Sequence, residues 1–173
     1  MDQLQRPSIE AFRIQAKTPV TVVLDNVRSM HNVGSVFRTA DGFAIEQLIL
    51  CGITGQPPHR EIEKTALGAT QSVNWSYAAQ TEQAIDQLRA EGYRIIGIEQ
   101  ASGSIPLQQF IPVNAEKYAL IFGNEVHGVS DTIMQKLDAC IEIPQSGTKH
   151  SLNIAVSAGI VLWHFYAQLQ PGI

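Results

Sequence analysis

A series of short, largely apolar blocks constrains this chain more than any other feature. Val20-Thr-Val-Val-Leu24, Leu48-Ile-Leu-Cys51, Tyr93-Arg-Ile-Ile-Gly-Ile98, Tyr118-Ala-Leu-Ile-Phe122 and Ala139-Cys-Ile-Glu-Ile143 are each too short for a helix. Being nearly continuous in apolar residues, they read as strands covered on both faces. Val73-Asn-Trp-Ser-Tyr77 is a weaker strand, suited to a sheet edge. Helical stretches alternate with them. Gly34–Gly42 closes at Gly42 as a C′ residue. Glu61–Gly68 is a short helical piece, and Ser130–Leu137 another. Thr81–Glu91 has Thr81 as a possible cap, Ala84, Ile85 and Leu88 on one face, and Gly92 as its stop. About six strands with helical connections predict a parallel-sheet α/β domain, helices on both faces. The 173 residues fit one domain, 19–173, after a short helical extension over 1–18 in which Ile9, Phe12 and Ile14 recur and Thr18-Pro19 ends the helix.

Composition narrows the function classes. The opening residues are polar, so no signal peptide is expected. Cys51 and Cys140 end apolar runs without a Cys-x-x-Cys pair and read as two buried, reduced thiols, which suits a cytoplasmic protein. His31, His59, His127, His150 and His164 show no ligand spacing, so no metal is expected. The first strand is followed by neither a Gly-x-Gly-x-x-Gly fingerprint nor a Walker loop, which argues against an ordinary nucleotide-binding α/β protein. A net charge of −4 argues against holding nucleic acid by bulk electrostatics but leaves room for a local basic patch.

The last third carries a polar loop between two apolar elements. After Ile143 the chain turns at Pro144 and Gly147, and Ser151 is a favoured N-cap for a helix over about 151–167. That helix is apolar almost all round, which predicts burial, and it is too short to cross a bilayer comfortably. Trp163 and Tyr166 add to it, and one domain of this size is not expected to cover every face of a terminal helix, so a homodimer packed partly through it is expected.

Ligands of such sheets gather at the carboxyl ends of the strands. Three loops there hold more polar residues than a turn needs: Asn32-x-Gly-x-x-x-Arg38-Thr-Ala, Phe122-Gly-Asn-Glu-x-x-Gly128 and Ile143-Pro-x-x-Gly-x-x-x-Ser-Leu-Asn153. Together, in this order and spacing, they resemble the three motifs of the SpoU (TrmH-like) RNA ribose 2′-O-methyltransferases, from about Val20 to the C-terminus. The resemblance implies an α/β fold with a deep C-terminal trefoil knot, Rossmann-like in its three layers. It implies S-adenosylmethionine as methyl donor, with no metal, held in the knot by backbone groups and apolar side chains. Ile98, Leu120, Gly123, Ile143, Ser151 and Leu152 are the matching positions. It also implies a homodimer, an RNA substrate (tRNA or rRNA), no membrane association, and Arg38, Asn32, Glu125, Ser151 and Asn153 as the catalytic set.

Each of these residues has a plainer reading: Asn32 as a cap for the Gly34 helix, Glu125 as a cap for the Ser130 helix, Ser151 and Asn153 as parts of a helix start, Arg38 as a surface arginine. The arginine matching Arg38 is assigned in the family as general base. Arginine holds its proton in proteins, so the alternative is a bidentate grip on an RNA phosphate, with a phosphate oxygen or water taking the proton. Two further alternatives are a knotted methyltransferase acting on a base nitrogen and a non-catalytic RNA-binding module of the same fold.

Overall fold

The computed structural model describes residues 7–149 and 151–170. The chain starts with α1 (Ile9–Ile14), capped by the Ser8 hydroxyl, with only Phe12 buried. The surface helix expected there is present, but it ends well before Pro19. Pro19 lies inside β1 (Thr18–Asp25), and the pairing register of β1 shifts between Thr18 and Thr21, where proline has no N–H to donate. There follow α2 (Met30–Gly42), β2 (Ile45–Cys51), α3 (Arg60–Ala66), α4 (Ala69–Ser72), β3 (Trp75–Ala78), α5 (Thr81–Ala90), β4 (Tyr93–Ile98), β5 (Ile105–Pro106), β6 (Lys117–Phe122), α6 (Asp131–Met134), β7 (Ala139–Glu142) and α7 (Ile154–Leu169).

The seven strands form one parallel sheet in the order β3-β2-β1-β6-β4-β7-β5. β3 is at an edge, as expected. The seventh strand, β5, is two residues long and leaves no pattern in sequence. Alternate side chains divide the core. Val20, Val22 and Leu24 pack with Val33 and Phe37 of α2 and with Val161 and Phe165 of α7. Val23, Ile95 and Ile121 pack with Ile85 and Leu88 of α5 and Ile133 of α6. That is the three-layer arrangement. From β5 at the far edge the chain returns to mid-sheet as β6, between β1 and β4. It then places β7 between β4 and β5, and finally lays α7 against α2 and β1. A terminal segment crossing back over earlier chain is what a knot requires, and such crossings are rare in proteins.

Several boundaries differ from the sequence reading, for local reasons. Ser29, not Asn32, caps α2: its hydroxyl accepts from the Asn32 amide at 3.3 Å. Gly42 is still helical, and the left-handed residue is Ala44, with φ of 48°. Thr81 does not cap α5, because its hydroxyl donates to Asp25 Oδ1 at 2.5 Å. Gly92 does end that helix, with φ of 86°. Cys51 is buried, but Cys140 is only half-buried; both are free.

The largest departures concern α7. It starts at Ile154 under an Asn153 cap, three residues later than the Ser151 start expected. Nor is it buried all round. Ala158, Val161, Leu162 and Phe165 face the core, while Val156, Ile160 and Trp163 form an exposed stripe, with Trp163 50% accessible. On the opposite flank, α2 and α3 meet almost backbone to backbone: a Cβ on Gly34 would stand 2.2 Å from the Ile62 carbonyl oxygen. This docking sets the N-terminus of α3 beside that of α2.

Candidate active site

At the carboxyl end of β1 the chain turns through Asn26, a non-glycine residue at φ of 54°. Asparagine tolerates that region because its short amide bonds locally. Here its Oδ1 accepts from the Ile53 amide at 3.1 Å, and its carbonyl accepts from Asn124 Nδ2 at 2.7 Å. One residue thus ties together the loops that follow β1, β2 and β6.

The β6 loop is closed on itself. Asn124 and Gly128 exchange backbone hydrogen bonds at 3.0 and 2.8 Å, and Asn124 Oδ1 accepts from the Val126 and His127 amides. Gly123 has no room for a side chain: a Cβ would lie 2.2 Å from the Gly128 carbonyl carbon and 2.4 Å from Val129 N. Glycine is therefore required there by the loop's own closure, before any ligand is considered. Glu99, just beyond β4, braces the other side. Its Oε2 accepts from Val129 N at 3.1 Å and its Oε1 from Gln100 N at 3.0 Å.

Glu125 projects from this loop onto the start of α2. Its two carboxylate oxygens accept from Arg28 N at 3.0 Å and Ser29 N at 3.1 Å. Negative charge suits the positive end of a helix. Burial raises its pKa, but the amides of Arg28, of Glu125 itself and of Ser29, with the Asn32 side chain beside them, outweigh that and hold the carboxyl below the usual range. The Ser130 helix is thus not what Glu125 caps. Asn32, one turn into α2, accepts on Oδ1 from Asn153 Nδ2 at 3.1 Å. Asn153 uses its other end to cap α7, its Oδ1 accepting from Ala155 N at 2.8 Å. Asn153 therefore both starts the helix and reaches across to α2.

Asn32, Glu125, Ser151 and Asn153 line one cleft of about 780 Å³, as do Ile98, Gly123, Ile143 and Leu152. Two positions depart from the sequence reading. Leu120 is fully buried in mid-strand and does not line the cleft. Phe122, two residues on and on the same face of β6, stands at the strand end and takes that place. Arg38 lies outside the cleft altogether. It is exposed on α2, six residues beyond Asn32; at 3.6 residues per turn that is about 120° round the helix from Asn32. Sequence reasoning also missed Glu99, Gln145 and His127, which line the cleft. Glu99 had one usable signal, its place directly after a strand, but loop residues in general share it.

The charge of the cleft is one-sided. Glu99, Glu125 and Asp131 line it, and among the described residues no lysine or arginine does. A second groove of about 370 Å³, lined by Leu107, Pro144, Ile160, Trp163 and His164, shares Ile143 with the cleft. Among the described residues, no helix is long and apolar enough to cross a membrane, and no group of three or more His, Cys, Asp or Glu is placed to hold a metal ion.

Comparison with known proteins agrees with this geometry. A family model described as the SpoU rRNA Methylase family matches residues 19–163. A tRNA (guanosine(18)-2′-O)-methyltransferase of Mus musculus is 33% identical over 85% of the chain, which spans 9% of that protein. An uncharacterized tRNA/rRNA methyltransferase of Borreliella burgdorferi is 31% identical over 93% of the chain and 69% of its own length. Among solved structures, an AdoMet-bound rRNA methyltransferase from Sinorhizobium meliloti superposes with a TM-score of 0.81 at 28% identity, covering 96% of this chain and 62% of the other. The knotted α/β fold expected from the three loops is the fold of these neighbours.

Proposed function

Because this chain belongs to the SpoU rRNA methylase family, we propose that it transfers a methyl group from S-adenosylmethionine to a ribose 2′-hydroxyl of tRNA or rRNA, with residues 19–173 as the catalytic domain. The observation that carries the reading is the joining of three loops by Glu125, Asn32 and Asn153 at the wall of one cleft.

The cleft suits the proposed donor in size, lining and charge. Its volume falls in the range of sites for drug-sized ligands. Ile98, Phe122, Ile143 and Leu152 offer apolar walls for a flat base, and the loop backbones beside them offer polar groups. Its carboxylates favour a cation. When bound, S-adenosylmethionine supplies a methyl group activated on positively charged sulfur. The chain's own residues do the rest by placement. Ile143 and Leu152 exclude water. Glu125 fixes the start of α2, so that Asn32 and Asn153 stay in register across the cleft. Ser151, exposed at the rim, orients the ribose. In-line placement of the hydroxyl at near-attack distance supplies much of the rate.

Arg38 is assigned to grip an RNA phosphate with its planar fork, leaving a phosphate oxygen or water to take the hydroxyl proton. Its position outside its own cleft supports a composite site in a homodimer. The exposed, apolar Val156, Ile160 and Trp163 stripe is the surface assigned to the two-fold contact. α7 packs on α2 on the same side of the sheet, and in the proposed pair the Arg38 of one copy serves the cleft of the other. The test is incubation with methyl-labelled S-adenosylmethionine and total RNA, followed by alkaline hydrolysis. Ribose methylation leaves label in alkali-resistant dinucleotides. Label recovered only in a mononucleotide with a methylated base refutes the ribose reading.

A further inference from the structure

The cations of this chain are sorted by position. Among the described residues, Lys64, Arg89, Arg94 and Lys136 each have a carboxylate within 4 Å. Arg13 donates to the Gln71 carbonyl, Lys17 to that of Phe12, and Lys117 sits over the Tyr93 ring. That leaves Arg28, Arg38, Arg60 and Lys149, all exposed; Arg38 sits two turns down α2, and the other three stand in or next to the loops at the cleft end of the sheet. Arg28 gives its backbone N–H to the cleft carboxylate of Glu125. Arg60 opens α3, held against α2 by the Gly34 contact. Lys149 is exposed in the loop after β7, between the cleft-lining residues Gln145 and Ser151.

The cleft itself is lined by carboxylates, in a chain of net charge −4. A polyanion cannot be held inside it, so its phosphates must be fixed outside, with only the reacting ribose dipping in. A second feature lies on the same side. Tyr77 is 44% exposed, yet its hydroxyl is anchored on the Gly52 carbonyl at 3.1 Å. Exposed Ile53 follows Gly52, and its amide is tied to Asn26, two residues before Arg28. An anchored aromatic face on the same end of the sheet as exposed cations without a carboxylate partner among the described residues suits the binding of single strands by stacking and phosphate contact.

We infer that Arg28, Arg60 and Lys149 hold the phosphates of a single-stranded RNA segment laid across the cleft mouth, with one base stacked on Tyr77. This rests on the reading of the cleft as the methyl-donor site. The test is fluorescence anisotropy on the full chain with a labelled single-stranded oligoribonucleotide of about 20 nucleotides, across a salt series. R28A, R60A and K149A should each weaken binding and flatten the slope of log K against log salt by about 0.7, and the triple variant by about 2. Y77A should weaken binding roughly fivefold or more with no change of slope. K117A, at the amino end of β6, is the control and should match wild type. Calorimetry with S-adenosylmethionine should give the same affinity for all variants.

Unchanged slopes in R60A and K149A, an equal effect of K117A, or no binding of the oligoribonucleotide by the wild type would each overturn the inference. So would variants that lose a protein partner while keeping RNA. Failure of the wild type to bind S-adenosylmethionine, with the slopes behaving as expected, would instead overturn the cleft reading and leave the RNA surface standing.

Discussion

A composite site makes a sharp prediction about mixed dimers. Arg38→Ala removes an exposed side chain with no carboxylate partner among the described residues, so its effect on stability should stay within about 0.5 kcal/mol. Leu152→Arg puts a bulky cation into a cleft whose lining is acidic and whose proposed ligand is a cation. Leu152 is itself 37% exposed, so the chain can still fold. Each variant alone should be inactive, for different reasons: Arg38→Ala should bind S-adenosylmethionine normally, and Leu152→Arg should not. Co-expression with two affinity tags and tandem purification gives heterodimers. If Arg38 serves the partner's cleft, one site in each heterodimer has both an open cleft and an arginine, while the other has neither. Methyl transfer should then return to about half the wild-type value per dimer. If Arg38 serves its own cleft, both sites carry one lesion each and the heterodimer stays dead. Inactive, correctly folded heterodimers would refute the composite site while leaving the cofactor cleft intact.

Other perturbations have defined outcomes. Glu125→Ala leaves the Arg28 and Ser29 amides to water; because the group is exposed, the loss should be about 1 kcal/mol, read as a fall of about 2–4 °C in Tm, with a larger drop in methyl transfer. The Glu125 pKa is lower in the folded chain, so its stabilisation is full above the ordinary glutamate value of about 4.3 and disappears as pH falls through the folded value. The Tm difference between wild type and Glu125→Gln should therefore close in acid, and a gap that persists or widens there would contradict this sign. Gly123→Ala collides with the backbone of its own loop, so it should weaken S-adenosylmethionine at least tenfold while the far-UV circular dichroism is kept; calorimetry checks this. Trp163→Arg changes a half-exposed side chain, so light scattering should show a folded monomer, and a folded dimer would place the interface elsewhere.

The strands were legible because a strand buried on both faces must be apolar at nearly every position. Val20–Leu24 or Tyr118–Phe122 can satisfy that in few other ways. Gly92 was legible because it meets a purely local demand, a positive φ after α5. The three loop motifs were legible through resemblance, since their polar residues stand at fixed distances from strand ends. Within those loops the sequence could not separate neighbours of equal chemistry. Ser151 and Asn153 are both good caps, and Asn153 is the cap because that is where α7 docks on α2. Leu120 and Phe122 are both apolar on one face of β6, and only the end of the strand decides which of them meets the cleft.

The sequence by itself determined the α/β class, the positions of the main strands and the residue types gathered at their carboxyl ends, because these follow from burial and backbone demands within a few residues. The tertiary structure alone decided three things. One is the insertion of β7 between β4 and β5, which no periodicity encodes because strand order is not local. Another is which stripe of the mostly apolar α7 stays exposed, since its few polar residues, Ser157, His164 and Gln168, do not fall on the exposed stripe of Val156, Ile160 and Trp163. The third is the separation of Arg38 from the cleft that its motif partner Asn32 lines. Asn32 and Arg38 are only six positions apart in sequence, but they stand about 120° apart round the helix.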